Sequence, residues 1–446
     1  MLEGKGRILD QEPDCIVVVP DHPDFVVIGT YSLVESDQNQ VSNERKGSLQ
    51  ILPFFTNNNN GHHVELDRQD FPFGIYDIHF HPKYKDMLGV ATSDAEIHFF
   101  SVTARHTAEE NKLSRLQFVY HGHIPIEAPH PSDGHLAIVT QFHFIEQDLR
   151  PLSRDFHVLL IATTQFGNTK IVKTTLPARS TDPEPGHSIP FQHVLVHKQS
   201  FDLEAWATLP LTGTTTEQLL ILSGGDDSQL IISSVASLQL TGPTNAEIDL
   251  EMLTTTNLHI DRRTHEAGVV SICSLGVCPP SPQDPSPSAV PSPASKETLI
   301  LTGSYDENLR LFLLTHSSSD YPPVALKLLT ELKLNGGVWR IELLDQYLTS
   351  TDSEGIIHNY ILLLAGHTAG AFIIRLSCKI SEDKAADWQY DFTIEKHFTD
   401  HESLVYAVDA KHTGNSEPHR KWDIISTSFY DKRVCNWEWV DEKRPS

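Results

Sequence analysis

An all-β, seven-bladed β-propeller is the fold this sequence predicts, and three observations carry the prediction. The first is a recurring unit of two apolar runs around a tight polar turn. It is read in "GVATSDAEIHFF" (Gly89–Phe100), "LSGGDDSQLII" (Leu222–Ile232), "ILTGSYDENLRLF" (Ile300–Phe312) and "STSFYDKRVCNW" (Ser426–Trp437). Each unit turns on an aspartate (Asp94, Asp227, Asp306 or Asp431), and an apolar residue follows three positions later, as Ile97, Leu230, Leu309 or Val434. An aspartate suits such a turn because its carboxylate accepts hydrogen bonds from nearby backbone N–H groups. The second observation is that strand-like runs rich in Ile, Leu, Val and Phe group into seven clusters, as repeated blades require. The third is the near absence of helical periodicity, which removes most α/β enzyme folds.

The clusters follow in order. The first holds "CIVVV", "FVVIGTYSL" and "GSLQILPFF" (Cys15–Phe55), and the second "GIYDIHFHP", "MLGVATS" and "EIHFFSV" (Gly74–Val102). The third, less regular, spans "HLAIVTQFHFI", "HVLLIATT" and "TKIVKTT" (His135–Thr175). The fourth is "EAWATLPL", "QLLILSGG" and "QLIISSV" (Glu204–Val235), and the fifth "GVVSICSL", "TLILTGS" and "NLRLFLL" (Gly268–Leu314). "GGVWRIELL", "NYILLLAG" and "GAFIIRL" (Gly336–Leu376) form the sixth; "SLVYAVDA", "WDIISTS" and "RVCNWEW" (Ser403–Trp439) form the seventh. Three clear strands and a weaker outer one fit a four-stranded blade. The whole chain, 1–446, reads as one propeller, with "GRILD" (Gly6–Asp10) available as the outer strand of the last blade. Two interruptions read as loops: a polar tip at 56–63 and a Pro/Ser-rich insertion at 278–295 inside the fifth cluster.

Composition narrows the function. Hydrophobic residues make up 39% and charged residues 21%, as in water-soluble globular proteins. No apolar run approaches the ~20 residues that cross a bilayer, and the first residues carry no apolar secretory core. The expectation is a cytoplasmic monomer without membrane contact. The five cysteines are scattered without zinc spacing, which suits a reducing compartment. A net charge of −25 argues against nucleic acid as the main partner and is compatible with a cationic ligand or basic surface.

The hairpins resemble the WD-repeat family, in which a histidine before the first strand pairs with the turn aspartate and a tryptophan ends the third strand. The seventh cluster keeps His401, Asp431 and Trp437; the fifth keeps His265 and Asp306, with Phe312 in place of the tryptophan. Further motifs are not demanded by the generic repeat: "LEAWATLPL", "HEAGVVSI", "GGVWRIEL", "LLAGHTAGAFI" and "DHESLVYAVD". Together with the hairpins, and with weaker matches at "FGIYDIHFHP" and "VVIGTYSL", this series resembles the diphthine methyl esterase family of WD-repeat proteins, over roughly Glu204–Trp437. The resemblance implies hydrolysis of a methyl ester on a modified histidine of translation elongation factor 2, a step of diphthamide biosynthesis. The implied substrate side chain carries a trimethylammonium group beside the ester.

Ester hydrolysis needs an attacking oxygen, a base and donors for the oxyanion. The G-x-S-x-G elbow of common esterases is absent. That leaves water activated by histidine or carboxylate, or a metal-bound hydroxide. One rim of the propeller is expected to collect His265, Glu266, His401, Glu402, Asp226, Tyr305 and Tyr430. First strands line the channel and place Trp206, Trp339 and Arg340 near its mouth. Glu266, Glu402, His265 and His401 are the candidate acid–base residues, and Arg340 the candidate oxyanion donor. Trp206, Asp226, Tyr305, Trp339 and Tyr430 are the candidate substrate contacts, aromatic faces and carboxylates being suited to a quaternary ammonium. Each has a plainer reading: repeat histidines and aspartates hold turns, tryptophans pack blades, and glutamates are solvated. For a metal, His79 with His81 and His121 with His123 are the closest pairs, but no third ligand stands at a diagnostic spacing, so no metal or other cofactor is expected. The competing function is a non-catalytic scaffold, which does not require Trp206, Glu266, Trp339, Arg340 and Glu402 to converge.

Overall fold

The computed structural model describes residues 5–35, 41–54, 67–105, 115–145, 156–176, 189–199, 203–212, 218–236, 255–277, 296–316, 324–351, 355–380, 388–413 and 420–444. Every regular element among them is a strand, and the strands form seven antiparallel sheets arranged as a β-propeller. Strand β1 (Lys5–Ile8) belongs to the last sheet. The first blade is β2 (Pro13–Val18), β3 (Phe25–Thr30), β5 (Val41–Pro53) and β6 (Asp67–Phe71), with β4 (Ser32–Glu35) a short extra strand on β5. The second is β7 (Ile75–Phe80), β8 (Met87–Thr92), β9 (Glu96–Arg105) and β10 (Arg115–Pro125); the third is β11 (Val139–Phe144), β12 (Phe156–Thr164), β13 (Asn168–Leu176) and β14 (Phe191–Lys198). The fourth is β15 (Ala205–Thr212), β16 (Gln218–Gly225), β17 (Leu230–Ala236) and β18 (Thr255–Asp261). The fifth is β19 (Val269–Val277), β20 (Lys296–Ser304), β21 (Asn308–His316) and β22 (Ala325–Lys333). The sixth is β23 (Arg340–Thr351), β24 (Gly355–Ala365), β25 (Ala371–Ile380) and β26 (Trp388–Phe398). The seventh is β27 (Val405–Thr413), β28 (Arg420–Ser428) and β29 (Arg433–Asp441), completed by β1.

Burial explains the sequence pattern. The second strands β3 and β8 are buried at every residue, because a neighbouring blade covers each face, so they read as continuous apolar runs. Outer strands such as β22 and β26 alternate between partly buried and exposed positions, which is why their signal is weak. The core lies between blades: Val27 and Leu49 of the first pack with Leu88, Val90 and Phe100 of the second. Leu363 and Ile373 of the sixth likewise pack with Ile424 and Trp437 of the seventh.

The four turn aspartates sit between second and third strands as expected. The residue after each is left-handed: Ala95 (φ 69), Ser228 (φ 61), Glu307 (φ 71) and Lys432 (φ 56). Ile97, Leu230, Leu309 and Val434 are fully buried. The ring closes where β1 pairs antiparallel with β29, from Lys5 opposite Asn436 to Ile8 opposite Arg433. The proposed loops at 56–63 and 278–295 lie outside the described residues.

Candidate functional site in the channel and its mouth

The first strands β2, β7, β11, β15, β19, β23 and β27 each touch the first strands of both neighbouring blades and so ring a central channel. Six of the seven carry a register shift at the same height, between Pro13 and Cys15, Ile75 and Asp77, Val139 and Gln141, Ala205 and Ala207, Val269 and Ser271, and Val405 and Ala407. A bulge inserts one extra residue and re-aims it. The inserted residues are Asp14, Tyr76, Thr140, Trp206, Val270 and Tyr406, and Trp339 stands just before β23.

These residues build a chain of aromatic contacts. Trp339 meets Trp206 at 5.5 Å between ring centroids, Tyr305 at 5.6 Å and Tyr406 at 4.9 Å. Tyr406 continues to Phe429 at 5.4 Å, Phe429 to Tyr31 at 5.5 Å, and Tyr31 to Tyr76 at 5.0 Å. His367 stands against both Tyr305 and Tyr406. The Trp206 indole N–H donates to Asp226 Oδ1 at 2.8 Å. Burial and the neighbouring Glu204 push the Asp226 carboxyl up to about 6 despite that bond. Burial likewise raises Asp14 to about 8, with Arg340 opposing and Asp77 adding to the rise.

Below this collar the channel encloses a cavity of about 380 Å³. Arg340, at the start of β23, reaches Asp77 on β7, its Nη2 donating to Oδ1 at 2.8 Å. Asp77 is buried, accepts the Phe142 N–H at 3.0 Å and lies 3.0 Å from His79 Nε2. Burial alone would favour its neutral form, but Arg340 and His79 hold its carboxyl below the usual carboxylate range. The His79 ring stacks obliquely on His143 at 4.9 Å, and burial lowers His143 to about 3, so that imidazole is neutral. Glu342, Asp409 and Gln141 also face the cavity. Asp409 accepts the Val18 N–H at 2.6 Å and Gln141 the Thr208 N–H at 2.8 Å, each from the next blade. These groups therefore lace neighbouring blades as well as lining the channel.

The residues singled out in the sequence fall into two sets. Trp206, Trp339, Tyr305 and Asp226 come together at the mouth, with Arg340 following Trp339 in the chain. Tyr430 is 71% exposed and leans on Phe429 at the edge of the collar. Glu266 is exposed, and its backbone N–H donates to Asp306 at 2.9 Å; the Glu402 N–H donates to Asp431 at 3.0 Å. The Glu402 side chain lies 3.4 Å from Arg433. His265 is buried, with Nε2 2.8 Å from the Thr302 hydroxyl. His401 has both ring nitrogens at serine hydroxyls, Ser428 at 2.6 Å and Ser426 at 2.7 Å, and the Trp437 indole donates to Ser426 at 3.1 Å. The histidine–aspartate pair of the repeat pattern is thus replaced. The aspartates receive backbone N–H groups, Asp306 also receives Arg310, and the histidines turn to second-strand hydroxyls.

Sequence reading passed over Asp14, Asp77, His143, Glu342 and Asp409, and weighed His79 only as a metal ligand. A signal existed: "DIH", "QFH" and "RIE" each set two polar residues either side of an apolar one in a first strand, and "YAVD" ends an apolar run on an aspartate.

No protein-family model matches the chain. A curated protein of Schizosaccharomyces pombe named diphthine methyltransferase is 26% identical over 237 residues, 53% of this chain and 52% of that protein. One of the same name from Saccharomyces cerevisiae is 26% identical over 297 residues, 65% of this chain and 61% of its own length. The aligned region thus spans between half and two thirds of each relative. In its propeller fold and in the motifs from "LEAWATLPL" to "STSFYDKRVCNW", the chain is thus similar to the proteins named diphthine methyltransferase.

Proposed function

We propose that this protein hydrolyses the methyl ester of methylated diphthine on translation elongation factor 2, giving diphthine and methanol within diphthamide biosynthesis. One observation carries the reading: an aromatic collar with a carboxylate stands on the same first strands as a channel cavity that holds an Arg–Asp–His constellation. Trp206, Trp339, Tyr305 and Tyr406 offer ring faces to the trimethylammonium, and Asp226 offers charge. A quaternary ammonium cannot donate ordinary hydrogen bonds, so ring faces and a carboxylate are what recognise it. In this proposal His79, held at Nε2 by Asp77, takes a proton from the attacking water at Nδ1. Arg340 faces the ester oxygen as negative charge develops. The tetrahedral adduct then expels methoxide, which takes up a proton to leave as methanol. His265 and His401 hold their blades, while Glu266, Glu402 and Tyr430 stand on the rim as docking contacts.

The name of the relatives favours a second reading, transfer of a methyl group to diphthine. The product separates the two. Purified protein is incubated with elongation factor 2 carrying methylated diphthine, and the modified peptide is followed by mass spectrometry. Loss of the ester methyl with stoichiometric methanol is the expected result. A peptide unchanged by folded protein would end the hydrolase reading; gain of a methyl by unmethylated diphthine in the presence of a methyl donor would then establish transfer, and no change in either assay would leave a scaffold.

A further inference from the structure

Blade two carries a second constellation, on its outer strands rather than in the channel. Glu96 and His98 lie two residues apart on β9, and so share one face of the strand. His123 on β10 is the direct cross-strand partner of His98. Asp94 comes from the preceding turn, where one carboxylate oxygen accepts the Thr92 hydroxyl. The ligating atoms of Glu96, His98 and His123 all lie within 4.8 Å of one another. His98 Nε2 is 3.3 Å from Glu96 Oε2 and 3.9 Å from Asp94 Oδ2, and His123 Nε2 is 3.6 Å from Glu96 Oε1. Ligands bound at about 2.0–2.1 Å to a tetrahedral zinc ion stand about 3.3 Å apart, so the observed spacings begin at that value and need only a small contraction to reach it.

The second observation concerns His98 itself. It is only 6% exposed, yet its Nε2 makes no hydrogen bond, although the Glu96 oxygen is 3.3 Å away. Glu96 and Asp94 thus stand beside the nitrogen without closing a hydrogen bond to it. The far nitrogens of both rings meet one phenol: the Tyr120 hydroxyl is 3.3 Å from His98 Nδ1 and 3.0 Å from His123 Nδ1. A phenol oxygen can accept from both Nδ1–H groups at once, which places the lone pairs of both Nε2 atoms toward the acidic residues. Lone pairs facing carboxylate oxygens are satisfied by a cation between them. Hydrogen-bond partners that fix the imidazole tautomer in this way accompany metal-bound histidines.

We propose that Glu96, His98 and His123, with Asp94 as fourth ligand, form a zinc site that staples β10 to β9 and to the turn between β8 and β9. Histidine nitrogens and carboxylate oxygens suit zinc, and four protein donors make the site structural. The site joins His123 to His98 rather than to His121. A bulge between Tyr120 and Gly122 inserts His121, which instead meets the Ser101 hydroxyl at 2.7 Å, and Gly122 beside it holds φ 126. The other sequence pair also parts: His79 faces the channel, whereas His81 Nδ1 accepts the N–H groups of Lys83 and Tyr84.

The competing occupant is a proton, which would make a charged His98 beside Glu96. The test loads the full chain with zinc at neutral pH, dialyses it, and measures retained metal by elemental analysis, with calorimetry for affinity. One zinc per chain is expected, with a rise in Tm that a chelator reverses. His98→Gln and His123→Gln should each abolish stoichiometric retention, and Tyr120→Phe should weaken binding about 10–100-fold. Should a variant fail to fold, cobalt absorption bands and anomalous scattering at the zinc edge on the unmodified protein decide instead. No retained zinc, or retention unchanged in both histidine variants, overturns the site.

Discussion

Arg340 and Asp77 are 263 residues apart in the chain and 2.8 Å apart across the channel. Removing one member leaves a buried charge without its partner, which costs more than the pair itself contributes. Asp77→Asn should therefore lower stability by about 3–5 kcal/mol in urea melts and slow methanol release at least ~100-fold. Pairing it with Arg340→Met should restore much of the stability but none of the activity. At the collar, Trp339→Ala should raise KM by about 5–30-fold with little change in kcat, as loss of about 1–2 kcal/mol of cation–π attraction implies. Asp226 supplies a pH dependence of known sign. Its folded carboxyl titrates at about 6, above its ordinary value of 3.8. The native state thus keeps this proton to higher pH than the unfolded chain, and the stability it adds below about pH 4 is lost as pH rises through about 6. Cation binding runs the opposite way, since only the carboxylate attracts the ammonium. KM should rise as pH falls below about 6 and lose that step in Asp226→Asn, read from initial rates across pH.

The same devices recur from blade to blade. Second-strand glycines let the next blade's first strand approach: a Cβ at Gly29 would come 2.5 Å from Ile75, at Gly224 2.5 Å from Val269, and at Gly303 2.3 Å from the Val338 carbonyl oxygen. Because that last contact is with backbone, Gly303→Ala should cost about 3 kcal/mol or more, as overpacking at a rigid contact does. The turns behave conversely. Ser228 holds φ 61, a left-handed conformation strained for a side chain. Ser228→Gly should be neutral or stabilising by up to about 1 kcal/mol, checked by thermal melts. How much was legible divides along these lines. The turn aspartates and the buried residue three positions on could be read directly, because turn chemistry is local. The bulges in the first strands could not, because a register shift exists only relative to a paired strand.

At the scale of the whole molecule, the chain's start and finish share a sheet. β1 supplies the outer strand of the last blade, and the Leu9 N–H donates to the Lys432 carbonyl oxygen at 2.8 Å. Removing residues 1–9 leaves β29 an open edge and uncovers the buried Leu9 seat beside Val434 and Ile425. Tm should drop by several degrees, and a peptide of those residues added in trans should recover part of it.

Taken alone, the sequence determined the strand clusters, the turn positions and the apolar second strands. Each of these follows from periodicity or turn preference within about a dozen residues. Only the tertiary structure decided which polar residues meet. It brought Arg340 to Asp77 and His79, turned His265 and His401 onto hydroxyls, and set His98 opposite His123. Those meetings depend on ring closure, on bulges and on cross-strand register. All three arise from pairing between distant segments, which composition and spacing along one chain do not encode.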